Sequence, residues 1–93
     1  MRQEEKRFVQ ASAILSRSVS SEVLLAAPDT EDFDVLSGTG SVVWRLLDVP
    51  RTLDEITDRL TELYSAPRDA IARDSEELVR HLRERGWVEA EDG

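Results

Sequence analysis

The stretch Ser37-Gly38-Thr39-Gly40 is the part of this 93-residue sequence that comes closest to a chemical motif. Glycines at the start of a helix expose backbone amides, and such amides bind phosphate groups. A phosphate loop of the P-loop type also needs a lysine at a fixed spacing, which this stretch lacks. Its surroundings are acidic and repel an anion. The pattern therefore favours a tight strand-to-helix turn over a phosphate site.

Few other side chains could catalyse a reaction. His81 is the single histidine, so no histidine pair can hold a metal or relay a proton, and we expect it at the rim of the core. The absence of cysteine excludes a thiolate nucleophile. The serines lie in no nucleophile motif. Glu55–Arg59 and Glu76–Arg80 have the spacing of ordinary surface ion pairs. The sequence predicts a protein that is not an enzyme and has no cofactor and no metal.

The charge of the chain is unevenly distributed. Residues 1–20 carry four basic and two acidic side chains, whereas residues 21–93 carry eight basic and eighteen acidic ones, a net charge of −10. Such a field repels nucleic acid and anionic lipid. Two interpretations stay open, a solvated acidic surface and an attraction to a basic partner.

Three features that the sequence lacks, a membrane span, a secretory signal and cysteine, predict the cellular compartment. No apolar run approaches the roughly 20 residues of a membrane span. The N-terminal MRQEEKRFVQ has charges but no following apolar region, so it does not match a secretory signal. With no cysteine in the chain, these features predict a cytoplasmic protein without a membrane partner.

Three strands are expected first. Residues 13–19 and 22–27 have strand composition and are separated by a serine turn, and residues 28–32 have the composition of a loop. Residues 33–36 alternate apolar and polar side chains, which predicts an edge-like third strand.

Three helices follow the strands. Ser37 is the predicted cap of the first, and Thr52 and Glu55 form a capping box at the start of the second. Pro67 is predicted at the first position of the third, which Gly86 ends. The apolar faces comprise Val43, Trp44, Leu46 and Leu47 in the first helix, Leu53, Ile56, Leu60, Leu63 and Tyr64 in the second, and Ile71, Leu78, Val79 and Leu82 around Ser75 in the third. Trp87-Val88 either returns to the core or adds a short strand.

This order predicts an α+β fold, a winged-helix-like domain in which an N-terminal three-stranded antiparallel sheet is followed by three helices. We expect a flexible N-terminal tail over residues 1–11, the domain over residues 12–89 and a C-terminal tail over residues 90–93.

Two binding functions are compatible with this layout. A winged-helix DNA-binding regulator would use the third helix, but residues 68–85 carry five arginines and five acidic residues, which is poor for approaching phosphates. A solvent-facing third strand could instead pair with an extended peptide, and the neighbouring helix would form a groove beside it. The charge balance of the third helix favours peptide binding, with the winged-helix transcriptional regulator as the alternative.

The sequence resembles the PqqD-like family. The run from Leu36 to Asp48, LSGTGSVVWRLLD, is similar to the first helix of that family, and residues 51–56, RTLDEI, are similar to its second. Pro67 and Gly86, with Ile71, Asp74, Leu78 and Leu82 between them, are similar to its third helix and terminal turn. The resemblance covers about residues 13–88 and depends on apolar spacing and turn residues.

The resemblance implies a function. The family comprises small proteins that bind the leader of a ribosomally synthesised precursor peptide as an added strand and present the peptide to a modifying enzyme. That enzyme would be a radical S-adenosylmethionine (radical SAM) enzyme, a leader peptidase or a cyclase. The implied peptide-binding residues are Asp32, Phe33, Asp34, Val35 and Leu36 on the receiving edge, and Ile71, Asp74, Ser75 and Leu78 on the groove wall.

Two features depart from the family. Ser75 stands where a larger apolar residue is usual, which implies a wider or more polar pocket. The third strand also lacks the aromatic-rich form common in the family. The sequence does not name the peptide product, the modifying enzyme, the leader motif or the oligomeric state. We predict a non-catalytic peptide chaperone that binds no nucleic acid.

Overall fold

The computed structural model describes residues 6–92. In chain order the elements are β1 (Lys6–Gln10), β2 (Leu15–Val19), β3 (Glu22–Ala26), β4 (Phe33–Leu36), α1 (Thr39–Leu46), β5 (Arg51–Thr52), α2 (Leu53–Leu63), α3 (Arg68–Glu84) and β6 (Val88–Asp92). The predicted α+β class with three helices is confirmed. Over the described residues, no helix is long and apolar enough to cross a membrane.

Strands β2, β3 and β4 form an antiparallel sheet in that order, as predicted. On β3, Val23 and Leu25 are buried while Glu22 and Leu24 are exposed, so one face of the sheet covers the core and the other faces solvent. The β2–β3 hairpin has a two-residue turn, and Ser20 takes a φ of 58° there. A positive φ at the first turn residue lets the turn follow the twist of the strands.

The two ends of the described chain form a second sheet, with strand order β5-β1-β6. The predicted tails are therefore wrong for Lys6–Gln10 and for the end of β6, while residues 1–5 and 93 lie outside the described residues. Phe8 is the one buried residue of β1. Three of its five residues, Lys6, Arg7 and Gln10, are polar, so the strand has a composition close to that of a polar tail. Its partners β5 and β6 are distant in the sequence, and no local pattern indicates that pairing.

The turn from β4 into α1 is made at Gly38, whose φ of 57° is readily adopted by glycine. Gly38 is also the N-cap, without a side-chain capping bond, so the predicted Ser37 cap is wrong. Ser41 donates instead from its hydroxyl to the Gly38 carbonyl over 2.8 Å. The predicted strand-to-helix turn is confirmed.

Helix α2 begins with the predicted capping box. The Glu55 amide donates to Thr52 Oγ1 over 3.1 Å, and the Thr52 amide donates to Glu55 Oε1 over 2.9 Å. Pro67 caps α3 and is not its first helical residue. Leu63 and Tyr64 were predicted on the buried face of α2 but are 62% and 38% exposed, because the last turn of this helix extends past the core.

One core joins the elements. Its buried apolar residues are Phe8, Val23, Leu25, Val43, Trp44, Leu47, Ile56, Leu60, Ile71, Val79, Leu82, Trp87 and Val88. Trp87 is buried and is followed directly by β6, so both expectations for this segment hold. His81 is exposed and does not lie at the rim of the core.

Candidate functional site

Strand β4 is an edge strand. It pairs with β3 on one side and has no partner strand on the other within residues 6–92. The Ala27 amide donates to the Asp32 carbonyl, so these two residues form a hydrogen-bonded pair. Hydrogen-bonded and non-hydrogen-bonded pairs alternate along antiparallel strands. Asp34 and Leu36 therefore bond to β3, while Phe33 and Val35 direct their amides and carbonyls to the open edge. The open edge therefore offers two donors and two acceptors in the spacing of a strand.

The side chains of β4 alternate between the two faces of the sheet. Asp34 and Leu36 are half-buried and lie on the core face, opposite Leu25 and Val23. Phe33 and Val35 are 61% and 52% exposed and lie on the solvent face. Of the predicted receiving edge, Phe33 and Val35 thus contribute backbone groups, whereas Asp34 and Leu36 project toward the helical side.

Helix α3 supplies the predicted groove wall. Ile71, Asp74, Ser75 and Leu78 follow the spacing of one helical face. Ile71 and Ser75 are buried, Leu78 is half-buried, and Asp74 is exposed at the rim. The predicted peptide groove would run between β4 and this face of α3.

Asp34 joins β4 to the segment at the end of α3. Its Oδ2 accepts from Arg85 Nε over 2.8 Å and from Trp87 Nε1 over 2.6 Å. Partial burial acts to raise the pKa of Asp34, but the hydrogen bonds from Arg85 and Trp87 outweigh it, so the pKa lies below its ordinary value. The Arg85 guanidinium also lies 5.8 Å from the centre of the Trp87 ring. These contacts fix the spacing between β4 and the C-terminal end of α3.

A pocket of about 190 Å³ lies between α1, α2 and α3. It is lined by Thr39, Leu60, Tyr64, Ala66, Ile71, Asp74 and Ser75. Three of the predicted wall residues, Ile71, Asp74 and Ser75, therefore meet in one cavity. Leu78 lies beyond this lining, and Asp32 is exposed in the loop before β4, where its amide donates to Thr30 Oγ1 over 3.0 Å.

Several residues of the site were not predicted from the sequence. Thr39, Leu60, Tyr64 and Ala66 line the pocket from α1, α2 and the α2–α3 loop. Arg85 and Trp87 bind the Asp34 carboxylate. Nothing local in the sequence pairs Asp34 with Trp87.

The solvent face of the β2–β3–β4 sheet is unusually apolar. Leu15, Val19, Leu24, Phe33 and Val35 all lie on it, with exposures from 39% to 61%. We call these five residues the outer apolar face. An added strand at β4 would extend this face, because alternate side chains of that strand would point the same way.

Among residues 6–92, no group of three or more histidine, cysteine, aspartate or glutamate side chains could hold a metal ion. What this arrangement offers is an open strand edge and a partly apolar pocket with the Asp74 carboxylate in its lining. These features are suited to holding an extended chain.

Comparison with known proteins supports the same fold. A structure titled TbiB1 in complex with the TbiA(beta) leader peptide is 28% identical, with a TM-score of 0.81 over 87% of this chain and 94% of that one. A lasso peptide synthetase B1 complexed with its leader peptide is 24% identical, with a TM-score of 0.76 over 88% and 96%, which shows likeness of fold alone. Among curated proteins, none is similar enough in sequence to count as a match.

Membership of a family follows from the sequence profile that the chain matches. The profile described as coenzyme PQQ synthesis protein D (PqqD) covers residues 22–88, from β3 to the start of β6. This span includes the open β4 edge, all three helices, the contacts of Asp34 with Arg85 and Trp87, and the pocket. The chain belongs to the PqqD family.

Proposed function

We propose that this protein is a non-catalytic chaperone that binds the leader of a ribosomally synthesised precursor peptide by adding it as a strand to β4. The observation that carries the proposal is the open edge at Phe33 and Val35, beside α3, in a chain of the PqqD family. The structurally similar proteins hold leader peptides, which supports the same class of ligand here.

Strand addition uses the backbone groups that β4 leaves free. Each net hydrogen bond contributes about 0.5–1.5 kcal/mol, and each apolar leader side chain fully buried in the groove contributes roughly 1.5–3 kcal/mol. Ordering a flexible leader offsets several kcal/mol of this gain. We therefore expect an affinity in the micromolar range or somewhat tighter.

The bound peptide is then delivered to a modifying enzyme, a radical SAM enzyme, a leader peptidase or a cyclase. We assign the enzyme contact to the outer apolar face, which is separate from the groove but continuous with the edge that receives the leader. Exposed apolar patches of this kind mark protein-protein contacts. An enzyme on this face would touch the added strand as well as the sheet. It would therefore bind the chaperone more tightly when the leader is bound than when it is absent.

The test is a titration of the purified protein with a fluorescent leader from a precursor encoded beside its gene. Labelled duplex DNA of random sequence is titrated in parallel, and both series are repeated at low and high salt. We expect saturable leader binding that persists at high salt, because apolar contacts are not screened. Duplex binding that falls steeply with salt, without leader binding, would contradict the proposal and favour the DNA-binding regulator.

A further inference from the structure

Strand β2 is the second edge of the sheet that carries β4. It pairs with β3 on one side and has no partner strand on the other within residues 6–92. Leu25 bonds to β4, so the preceding residue, Leu24, bonds to β2. Arg17, which lies opposite Leu24, therefore bonds to β3, while Ser16 and Ser18 direct their amides and carbonyls to the open edge.

The β2 edge lacks the usual protection against pairing. All five residues of the strand are exposed, so neither of its faces is covered. Proteins commonly protect an open edge with charges, proline or a bulge. Strand β6 follows that rule, because three of its five residues are acidic. Strand β2 has a single charge, no proline and a continuous register with β3, so its edge is suited to pairing with a further strand.

A second copy of β2 is complementary to this edge. When two copies run antiparallel about a two-fold axis, Ser16 lies opposite Ser18 of the other copy, and both residues offer free backbone groups. Leu15 lies opposite Val19 of the other copy on the outer apolar face, and cross-strand apolar pairs stabilise a sheet. Arg17 is the exception, because it lies opposite its own copy, and like charges oppose pairing.

We propose that two copies of this protein associate through β2 into one continuous sheet. The strand order would be β4-β3-β2-β2-β3-β4, so both β4 edges stay open. The two outer apolar faces would join into one, because edge pairing covers neither face. A single pair of short strands buries less area than a stable dimer needs, so we expect a reversible dimer with a dissociation constant on the order of 0.1–1 mM. The inference does not depend on the proposed function.

The experiment measures self-association of the full chain. Sedimentation equilibrium gives the dissociation constant, and ¹⁵N-labelled protein shows which backbone amides shift as its concentration rises. We expect shifts at Ser16 and Ser18. Ser18→Pro removes an amide from the open edge without breaking a bond to β3, so it should abolish association. Ser18→Thr is the matched control, because it keeps both the amide and a hydroxyl.

A charge exchange at Arg17 tests the two-fold register. Arg17→Glu places two carboxylates opposite each other in its own dimer, whereas a mixture with the wild type pairs opposite charges. At low salt the mixed pair should form about fivefold more tightly than either protein pairs with itself. This preference should fall at high salt. Arg59→Glu is the matched control, because it changes the net charge equally at an exposed position on α2 and should show no preference for the wild type.

The outcomes separate this inference from leader binding. A protein that stays monomeric at millimolar concentration, undiminished association of a folded Ser18→Pro, or no preference in the Arg17→Glu mixture would overturn it. Amide shifts confined to Phe33 and Val35 would assign the contact to β4 and overturn it as well. Ser18→Pro should bind the leader as the wild type does, so loss of association leaves the proposed function standing. Failure of the leader titration would leave association unchanged.

Discussion

Trp87 donates its indole N–H to the Asp34 carboxylate across 2.6 Å, although the two residues are 53 positions apart. The bond joins an edge strand to the segment that follows α3, and Arg85 donates to the same oxygen. Trp87 is 1% exposed, so its indole N–H has no access to bulk water. This carboxylate therefore both satisfies a buried donor and holds β4 against the segment that follows α3.

Replacing Asp34 with alanine should destabilise the protein by about 1–3 kcal/mol, because the buried Trp87 N–H loses its acceptor. Asp34→Asn keeps an oxygen acceptor and should cost less. The free energies of unfolding are measured by urea denaturation. Asp32→Asn is the matched control, because Asp32 is exposed and its side chain makes no described hydrogen bond. Equal stabilities of Asp34→Ala and Asp32→Asn would contradict the role assigned to this contact.

The same contact should make stability depend on pH. The hydrogen bonds from Arg85 and Trp87 hold the pKa of Asp34 in the folded protein below its ordinary value of 3.8, so the unfolded chain binds the proton more readily. The stabilisation from ionised Asp34 is therefore complete above that value and is lost as the pH falls through the lower folded pKa. The difference in unfolding free energy between the wild type and Asp34→Asn should be constant near neutral pH and shrink in this acidic window. A difference that grew on acidification would have the wrong sign for this contact.

Val35→Pro should abolish leader binding and leave the fold intact. The Val35 amide faces the open edge, so proline removes a donor for the added strand without breaking a bond to β3. Val35→Ala is the matched control, since it shortens the side chain and keeps the amide. Circular dichroism checks the fold, and fluorescence anisotropy measures leader binding. A folded proline variant with normal affinity would exclude strand addition through this position.

Sequence patterns predict the parts of this molecule whose causes are local. The alternation on residues 33–36 and the Thr52–Glu55 capping box both depend on neighbours within four positions, and both are found in the structure. The β5-β1-β6 sheet depends on pairing between Phe8 and Ala90, which no local pattern encodes. The candidate site divides in the same way. The β4 edge and the α3 face follow from periodic patterns in the sequence, whereas Leu60 and Tyr64 come to line the pocket through tertiary packing.

Leu15→Asp should impair delivery to the modifying enzyme while leaving leader affinity unchanged. Leu15 is 60% exposed on the outer apolar face, on the strand farthest from β4, so its substitution does not reach the groove. A carboxylate there would be buried without a partner in the enzyme contact, and this opposes association.

Ser16→Asp is the matched control, because Ser16 is adjacent, exposed and on the other face of the sheet. Processing of a precursor by its modifying enzyme is assayed in the presence of each variant, and leader binding is measured in parallel. We expect slower processing for Leu15→Asp than for Ser16→Asp at equal leader affinity. Equal processing by the two variants would show that the enzyme docks elsewhere, and loss of leader affinity in Leu15→Asp would show that the two surfaces are not separate.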